Sequence, residues 1–267
     1  MQKVVLITGA AHGLGRALSL EFLSRGWDVI ATDADDLSMA WLLEHEKARA
    51  IKMDVTLDAS VNSVYRLLSD EKITLDLIIN NAGIDRYFPL SETPIDQFKH
   101  IFEVNVFGGY RVNQVFLPIV KKPGGRIIHI SSESLNLTVP FMPYPLTKRL
   151  VEGYAKALRI ELRFSGIDVV IIRPGAIRTR LLETVSNIKP APGKWILEKQ
   201  FARFAATASK EIGKTLSPEQ VAAFIWKVSN IRYPSAVYNI NNMLQLRIAA
   251  LLPYKWVEKI IYRKLSS

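Results

Sequence analysis

Short apolar runs alternate along the chain with longer stretches in which apolar residues recur every three or four positions. The runs Val4 to Thr8, Asp28 to Asp33, Ala50 to Met53, Leu75 to Ile79, Arg126 to Ile130, Ile167 to Arg173 and Val237 to Ile240 predict strands, most of them of the fully buried kind. Helical spacing follows at Arg16 to Leu23, Ile95 to Phe116 and from Tyr144 through Leu150, Val151, Tyr154, Leu158 and Leu162, and a further helix starts at Ser217-Pro218-Glu219. Strands alternating with helices predict an α/β fold with a doubly wound parallel sheet, helices covering both faces. Neither a repeat nor a linker interrupts it, so 1–267 reads as a single domain. Residues 180–216 break the pattern, with Pro190, Pro192 and Gly193 followed by Trp195, Phe201 and Phe204, and read as a lid over a binding site.

Candidate chemistry falls at the strand ends. The first strand runs into T-G-A-A-H-G-L-G and then a helix, the context of a phosphate-binding turn. Gly9 permits the tight turn, Gly13 lets backbone approach a pyrophosphate and Gly15 allows close helix packing. Asp33 ends the second strand 18 positions beyond Gly15, placed to accept bonds from ribose hydroxyls and to repel a 2′-phosphate. That favours NAD over NADP, although His12 just before Gly13 could assist a 2′-phosphate. Asp54-Val55 follows the third strand, placed for an adenine edge, and Asn80-Asn81-Ala82-Gly83 follows the fourth. Asn105 sits in the middle of a helical stretch, where its side chain competes for backbone bonds, and so needs a kink or a site to explain it. Ser132 closes the fifth strand. Tyr144 and Lys148 are four apart at the start of a helix and therefore share a face. A free phenol, with a pKa of about 10, is a poor base near neutrality; a neighbouring cation that lowers it by roughly three units supplies about 4 kcal/mol.

Bulk properties narrow the classes. Nearly half of the 267 residues are apolar, enough for one sizeable core. The formal charge of +10 comes with no nucleic-acid-binding signature, so no nucleic-acid partner is expected. There is no cysteine, and the four histidines (His12, His45, His100, His129) lack ligand spacing, so no metal is expected. Met1-Gln2-Lys3-Val4 enters a strand at once, which argues against a signal peptide, and no apolar run reaches the length of about 20 residues that spans a membrane. A cytoplasmic protein is the expectation.

The motifs together resemble the short-chain dehydrogenase/reductase family from Val4 to about Thr179. T-G-x-x-x-G-x-G, the acidic end of strand two, D-V at 54–55, N-N-A-G, Asn105, Ser132, Tyr-x-x-x-Lys and P-G-x-I-x-T stand in the family's order. The resemblance implies a single-domain Rossmann-type fold with catalytic Asn105, Ser132, Tyr144 and Lys148. Tyr144 would be the acid/base, Ser132 would polarise the substrate oxygen, Lys148 would bond the nicotinamide ribose and depress the tyrosine, and Asn105 would hold a relay water. It implies a cofactor site of Gly9, His12, Gly13, Leu14, Gly15, Asp33, Asp54, Val55, Asn81, Ala82, Gly83, Tyr144, Lys148, Pro174, Gly175, Ile177 and Thr179, holding NAD in preference to NADP. Homodimers or homotetramers are also implied.

In the C-terminal segment 243–267 the chain enters Leu251-Leu252-Pro253 and then an aromatic, basic helix, with Tyr254, Trp256 and Tyr262 among Lys255, Lys259, Arg263 and Lys264, and so loosely resembles the hydroxysteroid and retinol dehydrogenase branches. Its apolar surface predicts a large apolar small-molecule substrate such as a steroid, retinoid or other lipid, and suits a pocket lid, a subunit contact or an interfacial helix resting on a membrane. Set against an alcohol/ketone oxidoreductase are a non-catalytic nucleotide sensor or scaffold on the same fold, and a reductase of a smaller carbonyl using NADP.

Overall fold

Strand β1 (Val4–Thr8) is buried on both faces because Val5 and Ile7 point one way and Leu6 the other, each into its own core. The computed structural model describes residues 2–136, 138–182, 195–208, 214–249 and 251–266. Among these residues β1 joins β2 (Asp28–Asp33), β3 (Ala48–Lys52), β4 (Leu77–Asn80), β5 (Arg126–Ile130), β6 (Asp168–Pro174) and β7 (Val237–Ile240). All pair in parallel, in the order β3-β2-β1-β4-β5-β6-β7. Chain direction reverses its progress across the sheet between β1 and β4, which opens a crevice at their carboxyl ends.

Helices α1 (Gly13–Ser24) and α7 (Pro218–Ser229) cover one face, where Leu18 and Phe22 meet Ile225 and Val228 over Ile7 and Ile79. On the other lie α2 (Asp58–Asp70), α4 (Gly108–Phe116) and α5 (Tyr144–Arg163), with Val64, Phe116 and Leu162 over Leu6 and Ile127. Helix α7 starts where predicted, on a reciprocal capping pair of Ser217 and Gln220.

Several predicted boundaries move by one or two residues. β3 begins at Ala48 rather than Ala50, because its backbone continues pairing with Val29 on β2. Leu75 makes only an isolated bridge to Val120, so β4 starts later than predicted and ends on Asn80. β6 extends to Pro174, paired with Ile240.

The helix predicted over Ile95 to Phe116 is one path with a defect. α3 (Ile95–Phe102) passes into a π-turn (Glu103–Phe107) that holds Asn105, then resumes as α4. Gly108 follows at once; a Cβ there would come 2.7 Å from Val55, so glycine lets the helix ride over the end of β3.

Part of the irregular 180–216 stretch is helical: α6 (Glu198–Ala208) packs Phe201 and Phe204 against Phe141. Pro190, Pro192 and Gly193 lie outside the described residues. The C-terminal segment forms two helices, α8 (Leu244–Ala249) and α9 (Tyr254–Ser266), separated at Leu251 to Pro253. Leu265 joins the aromatic cluster on α6, and its carbonyl accepts a bond from Arg203 at 2.9 Å. Tyr254, Trp256, Ile260 and Tyr262 remain exposed. Among the described residues no helix is long and apolar enough to cross a membrane.

Candidate active site

The glycine loop is built for close approach. Gly9 has φ +68° and Gly13 φ +52°, and a Cβ on Gly15 would fall 1.9 Å from the Gly9 carbonyl oxygen. Leu14 is buried in the core beneath the loop. Asn81 holds this loop to β4: its amide donates to the carbonyls of Thr8 and Gly9 at 2.9 and 3.0 Å. The Thr8 hydroxyl in turn accepts the N–H groups of Asn81 and Ala82, both at 3.1 Å. Of the asparagine pair, it is thus Asn81 that bonds backbone across neighbouring strands. Asn80 instead donates to the Asn113 side chain at 2.8 Å.

Asp33 reaches back to the same loop. Its carboxylate accepts the Ala11 N–H and the Asp35 N–H, each at 3.0 Å, which fixes its orientation and leaves lone pairs free. Around it charges of both signs gather: His12 lies 3.9 Å from Asp35 and 3.1 Å from an Arg180 nitrogen, while Lys52 pairs with Asp36 at 3.2 Å. Asp54 accepts from the Thr56 N–H and hydroxyl at 2.8 and 2.7 Å, and Val55 is buried against Gly108. On the far side of the crevice the loop after β6 closes onto the glycines. The Thr179 methyl stands 3.1 Å from where a Gly13 Cβ would be, Ile177 bridges to Leu216, and Gly175 donates to Ile240 at 2.9 Å.

Ser132, Tyr144 and Lys148 come together at the mouth of β5. Tyr144 is the first residue of α5, with Pro145 at the second position where its missing N–H costs nothing. The Ser132 hydroxyl is a hydrogen-bond neighbour of the phenol and accepts the Ser134 N–H at 3.1 Å. Lys148 donates to the Ile130 carbonyl at 2.8 Å and stands 5.3 Å from the centre of the Tyr144 ring. Asn105 explains the π-turn: its side chain accepts the Ile84 N–H at 2.8 Å and donates to the Ile84 carbonyl at 2.9 Å. It also donates to Thr147 on α5 at 3.1 Å, tying three elements at one buried point. One further turn along α5, Glu152 is buried between Ser131 at 2.7 Å and a two-pronged contact from Arg173 at 3.0 and 2.7 Å. That triad locks α5 to the ends of β5 and β6.

The electrostatics correct one expectation. Lys148 was expected to depress the phenol, yet Tyr144 is pushed up, first by burial and then by the negative charge of Asp85, with the Ser132 bond opposing. Lys148 is itself pushed down to about 8 by burial, partly countered by Asp85. Desolvation of the phenolate therefore dominates in the arrangement these residues make alone. Asp85 is the site residue the sequence reading passed over. It follows N-N-A-G-I directly, and an acid set between Ile84 and the pair Tyr87-Phe88 was the available signal.

Beneath Lys148, His129 is fully buried and its pKa is pushed down to about 3, chiefly by desolvation and then by the Lys148 charge. It contacts Asn113 at 3.0 Å as a neutral ring. A base depressed when folded leaves the unfolded chain holding more protons, so stability is lost as pH falls from 6.5 towards 3. The expected slope is about 1.4 kcal/mol per pH unit for this one proton. Urea unfolding across that range should show the slope in the unmodified protein and lack this component in His129→Gln; identical slopes would contradict it.

The glycine cradle, the oriented Asp33 carboxylate and the facing 174–179 loop fit a nicotinamide dinucleotide, whose pyrophosphate needs just such close backbone approach. Fold and site together define a nucleotide-binding oxidoreductase class. The family model described as short chain dehydrogenase matches residues 3–189. An oxidoreductase of Bacillus subtilis, YusZ, is 30% identical over 100% of this chain and 99% of its own length. The NADPH-dependent 3-dehydrocapnine reductase of Ornithobacterium rhinotracheale is 27% identical, covering 99% and 98%. A short chain dehydrogenase/reductase structure from Burkholderia phymatum, in complex with NAD, superposes with a TM-score of 0.76 at 22% identity, covering 97% and 95%. The chain belongs to the short-chain dehydrogenase/reductase family. It is an NAD(P)-dependent oxidoreductase acting on alcohol and ketone groups.

Proposed function

We propose that this enzyme interconverts a secondary alcohol and a ketone on a large apolar substrate, with NAD preferred over NADP. The observation that carries the reading is the convergence of Tyr144, Ser132 and Lys148 at the mouth of β5, across the crevice from the glycine cradle. A bound nicotinamide supplies or accepts the hydride. Tyr144 exchanges the proton with the substrate oxygen, and Ser132 orients that oxygen by hydrogen bonding. Lys148 sits within reach of the phenol to stabilise its anion and to bond a ribose hydroxyl. Asn105 braces the loop at Ile84 and, through the π-turn, leaves backbone beside a cavity of about 10 Å³ lined by Asn80 and Lys148, room for one relay water. Presence of both tyrosine and lysine, with Ser132 beside them, weighs against a sensor or scaffold.

An apolar substrate is supported by the cluster of Phe141, Phe201 and Phe204 with Tyr87, Met142 and Trp195 on the lid side of the site. We assign 180–216 to a lid and 243–267 to a segment that rests on it through Leu265. The exposed Tyr254, Trp256, Ile260 and Tyr262 of α9, beside Lys255 and Lys259, suit peripheral contact with an anionic membrane in the cytoplasm. Exposed Phe107 at the end of the π-turn and Tyr110 on α4, with Leu150 and Ile160 on α5 and Phe164 just past its end, suit a homodimer or homotetramer.

Truncation after Pro253 tests the substrate reading. Its kcat/KM on a steroid ketone should drop about tenfold or more while a short-chain ketone keeps its rate, because only the larger substrate needs the buried apolar wall. Sedimentation with anionic liposomes should fall as well. If both ketones keep their rates and sedimentation is unchanged, the segment has neither role.

A further inference from the structure

Glu133 directly follows Ser132 and is a buried carboxylate that the proton and hydride transfers do not use. Only 6% of its surface is exposed, and an ionised carboxylate is costly to bury unless its acceptor oxygens are satisfied. Backbone from two other segments supplies the donors. Met243, at the start of the C-terminal segment, donates its N–H at 2.6 Å, and the Ala176 N–H on the loop after β6 is a second hydrogen-bond neighbour. Glycine at 175 makes the meeting possible. A Cβ there would stand 3.0 Å from a Glu133 carboxylate oxygen and 2.1 Å from the Asn241 carbonyl oxygen, so a bare backbone lets the chain leaving β7 cross over to Glu133. Beyond the crossing, α8 packs on the turn Glu133–Asn136. The other side of that turn is held by α5, where Arg149 donates to the Leu135 carbonyl at 2.8 Å. Ser132 takes its orientation from the same turn, because its hydroxyl accepts the Ser134 N–H at 3.1 Å.

We propose that Glu133 is a positioning residue for Ser132, and that the start of the C-terminal segment, by bonding Glu133, completes the catalytic site for substrates of every size. This rests on Ser132 orienting the substrate oxygen. Arg149 grips the turn through a carbonyl on one side, and Glu133 grips it through its own side chain on the other. With both in place the Ser132 hydroxyl is fixed relative to Tyr144, which α5 carries. Without the Met243 bond, the grip on the C-terminal side is lost and the turn shifts about its attachment to α5. A displacement of about 1 Å at a reacting group costs up to about 10²-fold in rate. A carboxylate is needed, rather than an amide of the same shape, because two N–H donors converge on it. Glutamine has one acceptor oxygen and turns its NH2 group towards the second donor. The role differs from that of an apolar lid. A lid is felt only by a substrate large enough to reach it, whereas Ser132 meets the oxygen that every substrate carries. Truncation after Pro253 leaves Met243 and α8 in place, so the short-chain ketone keeps its rate in that variant.

Rates on the steroid and short-chain ketones separate this coupling from a merely structural role. Glu133→Gln should lower kcat about tenfold on both ketones, with far-ultraviolet circular dichroism and the fluorescence-detected binding of NADH unchanged. Met243→Pro removes the N–H just ahead of the first residue of α8, where a proline does not break the helix ladder. It should give the same loss, and it serves where Glu133→Gln does not fold. Met243→Leu keeps the N–H and should restore the rate. Because the two groups act through one bond, the double variant should fall no further than Glu133→Gln alone. Neither change should lower the rate further in a Ser132→Ala background. Full rates in Glu133→Gln or Met243→Pro, losses that multiply in the double variant, or a loss confined to the steroid ketone overturn the proposal. So does a loss shared by Met243→Leu, or one that comes with lost NADH binding. Ser132→Ala alone tests the underlying reading. Unchanged turnover in that variant, or an unmodified enzyme that turns over neither ketone, removes both; its loss beside full rates in Glu133→Gln and Met243→Pro removes only the coupling.

Discussion

Replacing Tyr144 by Phe is expected to lower kcat by about three orders of magnitude or more, with fold and nucleotide binding intact. General acid–base catalysis by a positioned group is worth roughly 10²–10⁴. The variant should sit high in that range because the phenol has no understudy. Ser132 is committed as acceptor to the Ser134 N–H, Thr147 donates to the Tyr144 carbonyl, and Lys148 donates to Ile130. Phenylalanine fills nearly the same volume, so the structural cost should be small. NADH absorbance gives the rate, far-ultraviolet circular dichroism the fold, and protein fluorescence the binding of NADH. A kcat within tenfold of the unmodified enzyme would mean that another group delivers the proton.

Asp33 is expected to decide between cofactors. Its carboxylate is already oriented by the Ala11 and Asp35 N–H groups, so it can accept from both adenosine ribose hydroxyls without reorganising. Two hydrogen bonds to a charged acceptor, at roughly 1.5 kcal/mol each, amount to about 3 kcal/mol, which is about two orders of magnitude in kcat/KM. A 2′-phosphate brings a charge of about −2 against Asp33, Asp35 and Asp36. His12, Arg180 and Lys52 oppose this, but His12 and Lys52 each stand beside an aspartate of their own. Asp33→Ala should therefore lose about a hundredfold with NAD and gain with NADP, since the carboxylate that opposes a 2′-phosphate is removed. A kcat/KM in the unmodified enzyme that favours NADP would show that the basic side of the pocket wins.

The two variants probe opposite ends of the crevice, and the residues in question differ in how far sequence could reveal them. Motifs whose job is done by local geometry were legible. Gly9 and Gly15 announce themselves because no side chain fits where they sit, and Tyr144 and Lys148 because four residues along a helix bring two side chains to one face. Asn105 was legible as an anomaly, and the π-turn is its explanation: the helix gives up its regular ladder so that the amide can bond Ile84.

Apolar spacing was sufficient by itself for the doubly wound parallel sheet, and the strand-end motifs, through their resemblance, for the family. Each depends on residues close together in the chain or on a rule of chain connection. The tertiary structure alone decided the electrostatics. Whether the phenol rises or falls depends on how completely α5 and the 83–88 loop exclude water, and on Asp85, which lies 59 positions from Tyr144 in sequence. It also decided the grip of Glu152 on Ser131 and Arg173, and the docking of Leu265 on α6. Desolvation and long-range charge are properties of the packed interior, which the order of residues along a chain does not display.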